Sequence, residues 1–175
     1  KNIIFEGHST DYQPKEKLRE MAEDGVKILK VGPALTFALR EGLFALSMIE
    51  RELMNENRAD FIETLEKIML ENPANWQKHY HGTERDKFLA RRYSYSDRCR
   101  YYLSNPEIKN TIKKLFANID VLISKNEILP GLLRQFMPRQ YEKVRDGKIE
   151  VKADALVKDF VVSVAEDYNF AAGVE

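Results

Sequence analysis

The hydrophobic positions of the chain change their period near residue 55. Before that point, short apolar runs at residues 3–6 and 27–31 each precede a segment with helical spacing, at about 14–24 and 34–54. Such runs between turn residues are typical of buried strands, and apolar positions three or four apart indicate helices. The order strand, helix, strand, helix predicts two βα units with parallel neighbouring strands.

Every periodic segment after residue 57 is helical, and X-Pro steps mark the breaks between segments. Helices or short helical turns are predicted over residues 58–71, 84–103, 106–121, 130–146 and 153–168. The fold class we expect is therefore α/β. The chain should divide into a βαβα part, residues 1–55, and a helical part, residues 56–175.

Two parallel strands do not form a stable sheet alone, because their faces and edges need partners. No further strand is predicted, so Ile3, Phe5, Ile28 and Val31 should expose apolar surface and unpaired strand edges. A complete (β/α)8 barrel needs about 250 residues, more than the 175 of this chain. We therefore expect the chain to be part of a longer protein, and its first residues show no signal-peptide pattern.

Composition and charge argue against several classes of protein. The 28 Lys and Arg residues balance 28 Asp and Glu residues, which argues against a nucleic-acid-binding protein with a basic face. No segment is apolar enough to span a bilayer, so no membrane partner is expected. The single cysteine, Cys99, excludes an intramolecular disulfide and favours a reducing, cytoplasmic location.

The loop after the first strand contains most of the candidate chemistry. In parallel βα folds, ligands bind at the carboxyl ends of strands. There, Glu6, His8 and Asp11 could act as acids or bases, and His8 is a weak candidate metal ligand. The alternative is a polar loop whose side chains cap the next helix.

The turn after the second strand is a candidate phosphate site. Gly32 would let an anion approach the backbone, Ala34 begins a helix with free N–H groups, and Lys30 adds a positive charge. Ser9, from the first loop, completes this predicted set. The alternative is a plain βα turn whose Gly-Pro step only shapes the backbone.

A third segment, residues 91–102, contains four arginines and four tyrosines. Such a segment could bind phosphates or stack on bases. Because the whole chain is neutral, and because Tyr and Arg are enriched at protein interfaces, a structural or interface role is favoured. Cys99, within it, is expected to be packed.

Several motifs make the chain resemble the Z-type subunit of class II tagatose-1,6-bisphosphate aldolase, whose members are also described as tagatose-6-phosphate kinases. They are EGHSTDYQ at 6–13, ILKVGPALTFALRE at 28–41, RYSYSDR at 92–98 and QFMPRQYE at 135–142. The resemblance covers essentially the whole chain and corresponds to the C-terminal part of that subunit. It implies the last two βα units of a TIM-type (β/α)8 barrel, followed by an all-helical C-terminal appendage.

The resemblance also implies an accessory function in the catabolism of galactitol or N-acetylgalactosamine-type sugars. The Z-type subunit is regarded as non-catalytic and supports the activity and stability of a Y-type partner. That partner binds zinc and splits tagatose 1,6-bisphosphate into glycerone phosphate and glyceraldehyde 3-phosphate, so no cofactor is expected in this chain. Kinase activity is not favoured, since the sequence has no Gly-x-x-x-x-Gly-Lys-Ser/Thr loop.

Three hypotheses remain at this point. The first is the accessory subunit, which could also bind a sugar bisphosphate. The second is a sugar-phosphate aldolase, epimerase or isomerase that uses Glu6, His8 and Asp11 itself. The third is a helical, purely structural fragment that binds no ligand.

Overall fold

The computed structural model describes residues 3–174, in which two βα units are followed by helices only. The βα units are β1 (Phe5–Gly7), α1 (Lys15–Glu23), β2 (Val26–Leu29) and α2 (Pro33–Leu53). The helices that follow are α3 (Phe61–Glu71), α4 (Glu84–Tyr93), α5 (Pro106–Ser124), α6 (Pro130–Phe136), α7 (Pro138–Arg145) and α8 (Ala153–Ala172). Two short 3₁₀ turns, Pro73–Asn75 and Cys99–Tyr101, lie on either side of α4.

The two strands pair in parallel, as predicted. Phe5 lies opposite Val26 and Gly7 opposite Leu29, with an irregularity after Phe5. The first strand begins at Phe5 instead of at residue 3, because β2 begins at Val26 and offers Ile3 no partner. Within residues 3–174 no further strand is present.

The sheet exposes apolar side chains, which confirms a second expectation. Ile3 is 76% exposed, Phe5 63% and Ile28 49%, whereas Val31 is half-buried. Apolar side chains on a sheet normally pack against a second layer or a neighbouring strand. Ile3, Phe5 and Ile28 lack such a layer within residues 3–174.

Helix α2 is the centre of the chain. Its apolar positions repeat over five turns, so it buries side chains on several sides and packs against α3, α5, α6 and α8. Leu43, Leu46 and Ile49 are completely buried in the core that these helices share. Among residues 3–174 no helix has both the length and the apolar composition needed to cross a membrane.

The last helix returns to the first part of the chain. Helix α8 packs along α2 and also against α1, so it covers the βα units. The approach to α2 is close at Gly42, where an added Cβ would lie 3.2 Å from Val157 Cα and 3.2 Å from Phe160 Cδ2. The predicted division near residue 55 stays a prediction, although one hydrophobic core joins side chains from both of its parts.

The predicted helix over residues 84–103 is wrong after Tyr93. There Ser94 Oγ accepts a hydrogen bond from the amide of Ser96 (3.1 Å), and Asp97 Oδ1 accepts one from the amide of Cys99 (3.1 Å). Serine and aspartate side chains compete in this way with helical hydrogen bonding. Residues 94–98 therefore form a loop between α4 and the second 3₁₀ turn.

The two short turns predicted over residues 130–146 are helices. Helices α6 and α7 have seven and eight residues, and each begins at a proline, Pro130 and Pro138. Proline suits the first helical position because its missing N–H is not needed there.

The contact at Gly42 gives a test of the packing. We expect Gly42→Leu to lower the free energy of unfolding by about 1–3 kcal/mol or more, because the backbone of Val157 cannot yield to a larger side chain. The control is Gly131→Leu in α6, where an added Cβ meets nothing within 4 Å. Urea denaturation of both variants measures the difference, and equal effects would contradict this description of the helix contact.

Candidate functional site

The loops after β1 and β2 meet at one end of the sheet, as parallel pairing requires. Thr10 joins them: its hydroxyl donates to the carbonyl of Lys30 and accepts from the hydroxyl of Tyr168 at 2.9 Å. Thr10 is completely buried, and Tyr168 lies on α8. The loop after β1 is thus bound both to the end of β2 and to the last helix. No local feature singled out Thr10, because nothing about a threonine within a polar loop indicates that it is buried.

Asp11 occupies the N-terminus of α2. Its Oδ1 accepts hydrogen bonds from the amides of Gly32 (3.0 Å) and Ala34 (2.8 Å). A carboxylate here satisfies N–H groups that a helix start leaves free and lies at the positive end of the helix dipole. This turn was predicted to bind a phosphate, and in the structure the carboxylate of Asp11 binds its amides. The polar loop does cap a helix, but it caps α2 and not the next one, α1.

The other candidate side chains lie at the surface. Glu6, His8, Ser9 and Lys30 are all exposed. His8 Nε2 lies 3.1 Å from Glu6 Oε1, which makes an ion pair when the imidazole is protonated. Among residues 3–174 no group of three His, Cys, Asp or Glu side chains is placed to hold a metal ion. His8 as a metal ligand stays a prediction.

An aromatic cluster connects the loop after β1 to the helical part. The rings of Tyr12, Phe37 and Tyr95 pack with centroids 4.7–5.5 Å apart. The hydroxyl of Tyr12 donates to the carbonyl of Tyr95 at 2.8 Å. Desolvation by burial, with smaller contributions from the charges of Asp97 and Asp11, raises the pKa of Tyr12 to about 12. The phenol therefore stays protonated and remains a donor at neutral pH.

A buried ion pair lies beside this cluster. Arg40 Nε is 3.6 Å from Asp97 Oδ2, each residue is 2% exposed, and the guanidinium carbon lies 4.2 Å from the centre of the Phe37 ring. Cys99, whose amide binds Asp97, is completely buried. Burial, with the nearby Asp97 charge, raises the pKa of the Cys99 thiol well above its usual value. Cys99 is therefore packed, as expected.

A cleft that sequence reasoning missed runs between α2 and α8. It consists of two adjoining cavities of about 330 and 320 Å³, which share Ala38, Glu41, Val164 and Asp167. Desolvation raises the pKa of the Glu41 carboxyl, against the lowering effect of Arg40 and Arg139. The cleft arises from the packing of two helices distant in sequence, so no local motif indicates it.

Residues 1–173 match the sequence model of a family described as "D-tagatose-1,6-bisphosphate aldolase subunit GatZ/KbaZ-like". The chain belongs to this family. GatZ subunits of D-tagatose-1,6-bisphosphate aldolase from Escherichia coli O1:K1 / APEC and from Escherichia coli (strain SMS-3-5 / SECEC) are each 40% identical to it over 169 residues. Each match covers 96% of this chain and 39% of the relative, so the chain spans about two fifths of the length of these GatZ subunits.

A solved structure of a similar protein shares the fold. It is described as a probable tagatose 6 phosphate kinase from Sinorhizobium meliloti 1021, and it is 43% identical with a TM-score of 0.89. The similarity covers 97% of this chain and 43% of the other. The mostly helical α/β arrangement seen here is thus shared with a relative determined by crystallography.

The two hydrogen bonds that Asp11 accepts give the second prediction. We expect Asp11→Ala to lower the free energy of unfolding by about 0.5–2 kcal/mol, because two amides at the start of α2 lose their acceptor. Asp24→Ala is the matched control, because the Asp24 side chain is exposed. Urea denaturation at neutral pH measures both, and a loss no larger than that of the control would show that Asp11 is not a cap.

Proposed function

We propose that this chain is the C-terminal part of an accessory, non-catalytic subunit that supports a class II tagatose-1,6-bisphosphate aldolase in the cytoplasm. Its membership in the GatZ/KbaZ-like family supports the link to the aldolase. The observation that carries the accessory role is the use of the candidate acid Asp11 as a structural cap. A carboxylate that accepts from two backbone amides at a helix start has the structural task of a cap, which needs no catalytic role to explain it.

We place the two βα units as the last two of a TIM-type (β/α)8 barrel. The exposed face and edges of the β1–β2 pair support this assignment, because a parallel sheet needs partners on both sides. Earlier strands of the longer protein would cover Ile3, Phe5 and Ile28. The helical part, α3 to α8, is then an appendage outside the barrel.

The barrel assignment predicts that substitution of Phe5 has different effects on stability in this chain and in the longer subunit. In the 175-residue chain, Phe5 is 63% exposed, so Phe5→Asp should change the free energy of unfolding by no more than about 0.5 kcal/mol. In the longer subunit the same substitution should cost more than about 2 kcal/mol, because it buries a charge among strands. Denaturation of both lengths measures the contrast. Equal small effects would remove the barrel assignment.

The catalytic steps then belong to the partner. A Y-type subunit would bind the zinc and cleave the bisphosphate, and this chain would stabilise it. A sugar bisphosphate near the strand ends would meet Ser9 and Lys30, which are exposed, whereas the amides of Gly32 and Ala34 become available only if Asp11 moves. We do not propose the kinase activity named for the Sinorhizobium meliloti relative, since this sequence has no phosphate-binding loop of the P-loop kind.

One observation favours a second candidate, an aldolase, epimerase or isomerase active by itself. His8 Nε2 and Glu6 Oε1, 3.1 Å apart, form a histidine–carboxylate pair at the end of β1. Such pairs act as general bases when a substrate reaches them. This alternative requires that the exposed pair become enclosed by the rest of the longer protein.

Substitution of His8 separates the two candidates. We expect the longer subunit with His8→Gln to support the aldolase activity of its Y-type partner within about twofold of the unmodified subunit, since an exposed imidazole outside the chemistry contributes little. Loss of a general base would instead lower the rate by about 10²–10⁴-fold. Cleavage of tagatose 1,6-bisphosphate is the assay.

The matched control is His81→Gln, which removes an exposed histidine far along the chain. The Y-type subunit alone gives the baseline, and the Z-type subunit alone reports any activity of its own. A hundredfold loss confined to His8→Gln, or turnover by the isolated subunit, would contradict the accessory function.

A further inference from the structure

The arginine-rich segment, residues 91–102, is divided into paired and unpaired charges. Its first two arginines share one carboxylate: Arg91 Nη2 lies 2.6 Å from Glu66 Oε1, and Arg92 Nε lies 3.8 Å from Glu66 Oε2. Arg91 is buried and packs over the Trp76 ring, 4.6 Å from its centre. These two side chains hold α4 to α3 and have a structural role, as the sequence favoured.

The acidic residue within the segment is also paired. Asp97 is buried against Arg40, with its second oxygen accepting from the amide of Cys99. It therefore does not neutralise the arginines on either side. Within residues 3–174, no carboxylate lies within 4.0 Å of a guanidinium nitrogen of Arg98 or Arg100.

Arg98 and Arg100 converge on one phenol. Arg100 Nη2 donates to the hydroxyl of Tyr101 at 2.9 Å. The guanidinium carbons of Arg100 and Arg98 lie 4.8 and 5.8 Å from the centre of the Tyr101 ring, which is 46% exposed. The hydrogen bond from Arg100 first, and then the positive charges of Arg100 and Arg98, lower the pKa of Tyr101. Two like charges thus lie near one partly exposed tyrosine ring, and one of them, that of Arg100, binds its hydroxyl.

The backbone that carries these arginines is fixed. The hydroxyl of Tyr80 accepts from the amide of Arg98 (3.1 Å) and donates to the carbonyl of Ser96 (2.8 Å). The arginines then lie within and beside a 3₁₀ turn, Cys99–Tyr101. Holding two cations together costs energy in the free protein, and the cost is recovered when an anion binds between them.

We propose that Arg98, Arg100 and the hydroxyl of Tyr101 form a binding site for a phosphoryl group. Guanidinium groups bind phosphate oxygens through paired N–H donors, and a phosphate dianion matches the two unpaired charges. The site lies a few residues beyond Tyr95, whose carbonyl binds Tyr12 of the strand-end loop. It is separate from the turn where Asp11 already satisfies the amides, and it does not depend on the accessory function.

Inorganic phosphate is the probe. Titration into the full chain, followed by isothermal calorimetry and by the ³¹P resonance, should show saturable binding in the millimolar range. The double variant Arg98→Gln/Arg100→Gln should bind at least about 30-fold more weakly, because two charge-assisted contacts are lost. Tyr101→Phe, which keeps the ring, should weaken binding about threefold.

The matched control removes the same charge elsewhere. Lys125→Gln/Arg134→Gln neutralises two exposed side chains, one just after α5 and one on α6, and should leave phosphate affinity within about twofold, since distant exposed charges are screened. Arg98→Lys/Arg100→Lys keeps the charge and loses the planar donors, so it should bind with intermediate affinity. Circular dichroism confirms that each variant is folded.

Three results would overturn the proposal. They are the absence of saturable phosphate binding to the unmodified chain, equal losses in the glutamine and control double variants, and full affinity in a folded Arg98→Gln/Arg100→Gln variant. In the first case the two arginines would instead fit the carboxylates of a protein partner.

Discussion

The contact between α2 and α8 is the constraint on which the rest of the structure depends. Gly42 lets the two helices approach until an added Cβ would touch the backbone of Val157. This brings the end of the chain back over its beginning, where Tyr168 reaches the hydroxyl of Thr10. Without that approach, α8 would cover neither α1 nor the strand-end loop, and the cleft lined by Glu41 and Asp167 would not exist.

The electrostatics at the start of α2 determine which anion binds at the strand ends. The helix dipole and the free amides favour any anion by about 0.3–1 kcal/mol at an exposed site, and Asp11 supplies one at no cost in translational entropy. A phosphate would have to compete with a carboxylate that is already tethered. The two arginines beside Tyr101 have no such competitor among residues 3–174, which is why they are the better anion site.

Periodicity and turn residues predicted the order of elements, the parallel strand pair and its exposed face, because those features depend on local sequence. The break after Tyr93 was missed because two side-chain hydrogen bonds, at Ser94 and Asp97, outweigh a helical pattern. The candidate residues lie at the strand ends as predicted, but their contacts were not predicted: Asp11 caps α2, whereas Glu6 and His8 are exposed. Burial of Thr10 and pairing of Arg40 with Asp97 depend on contacts between distant segments, which no single motif records.

The zero net charge of the chain conceals an uneven distribution of charge. Arg40 and Arg91 are neutralised inside the protein by Asp97 and Glu66, and burial makes such pairing obligatory. The balancing acids are therefore not available to Arg98 and Arg100, the half-buried arginines that follow Asp97. A neutral composition argued against an anion-binding face, but composition counts charges wherever they lie. The structure separates buried ion pairs from arginines that have no carboxylate partner among residues 3–174, and only the latter have a charge left to bind an anion.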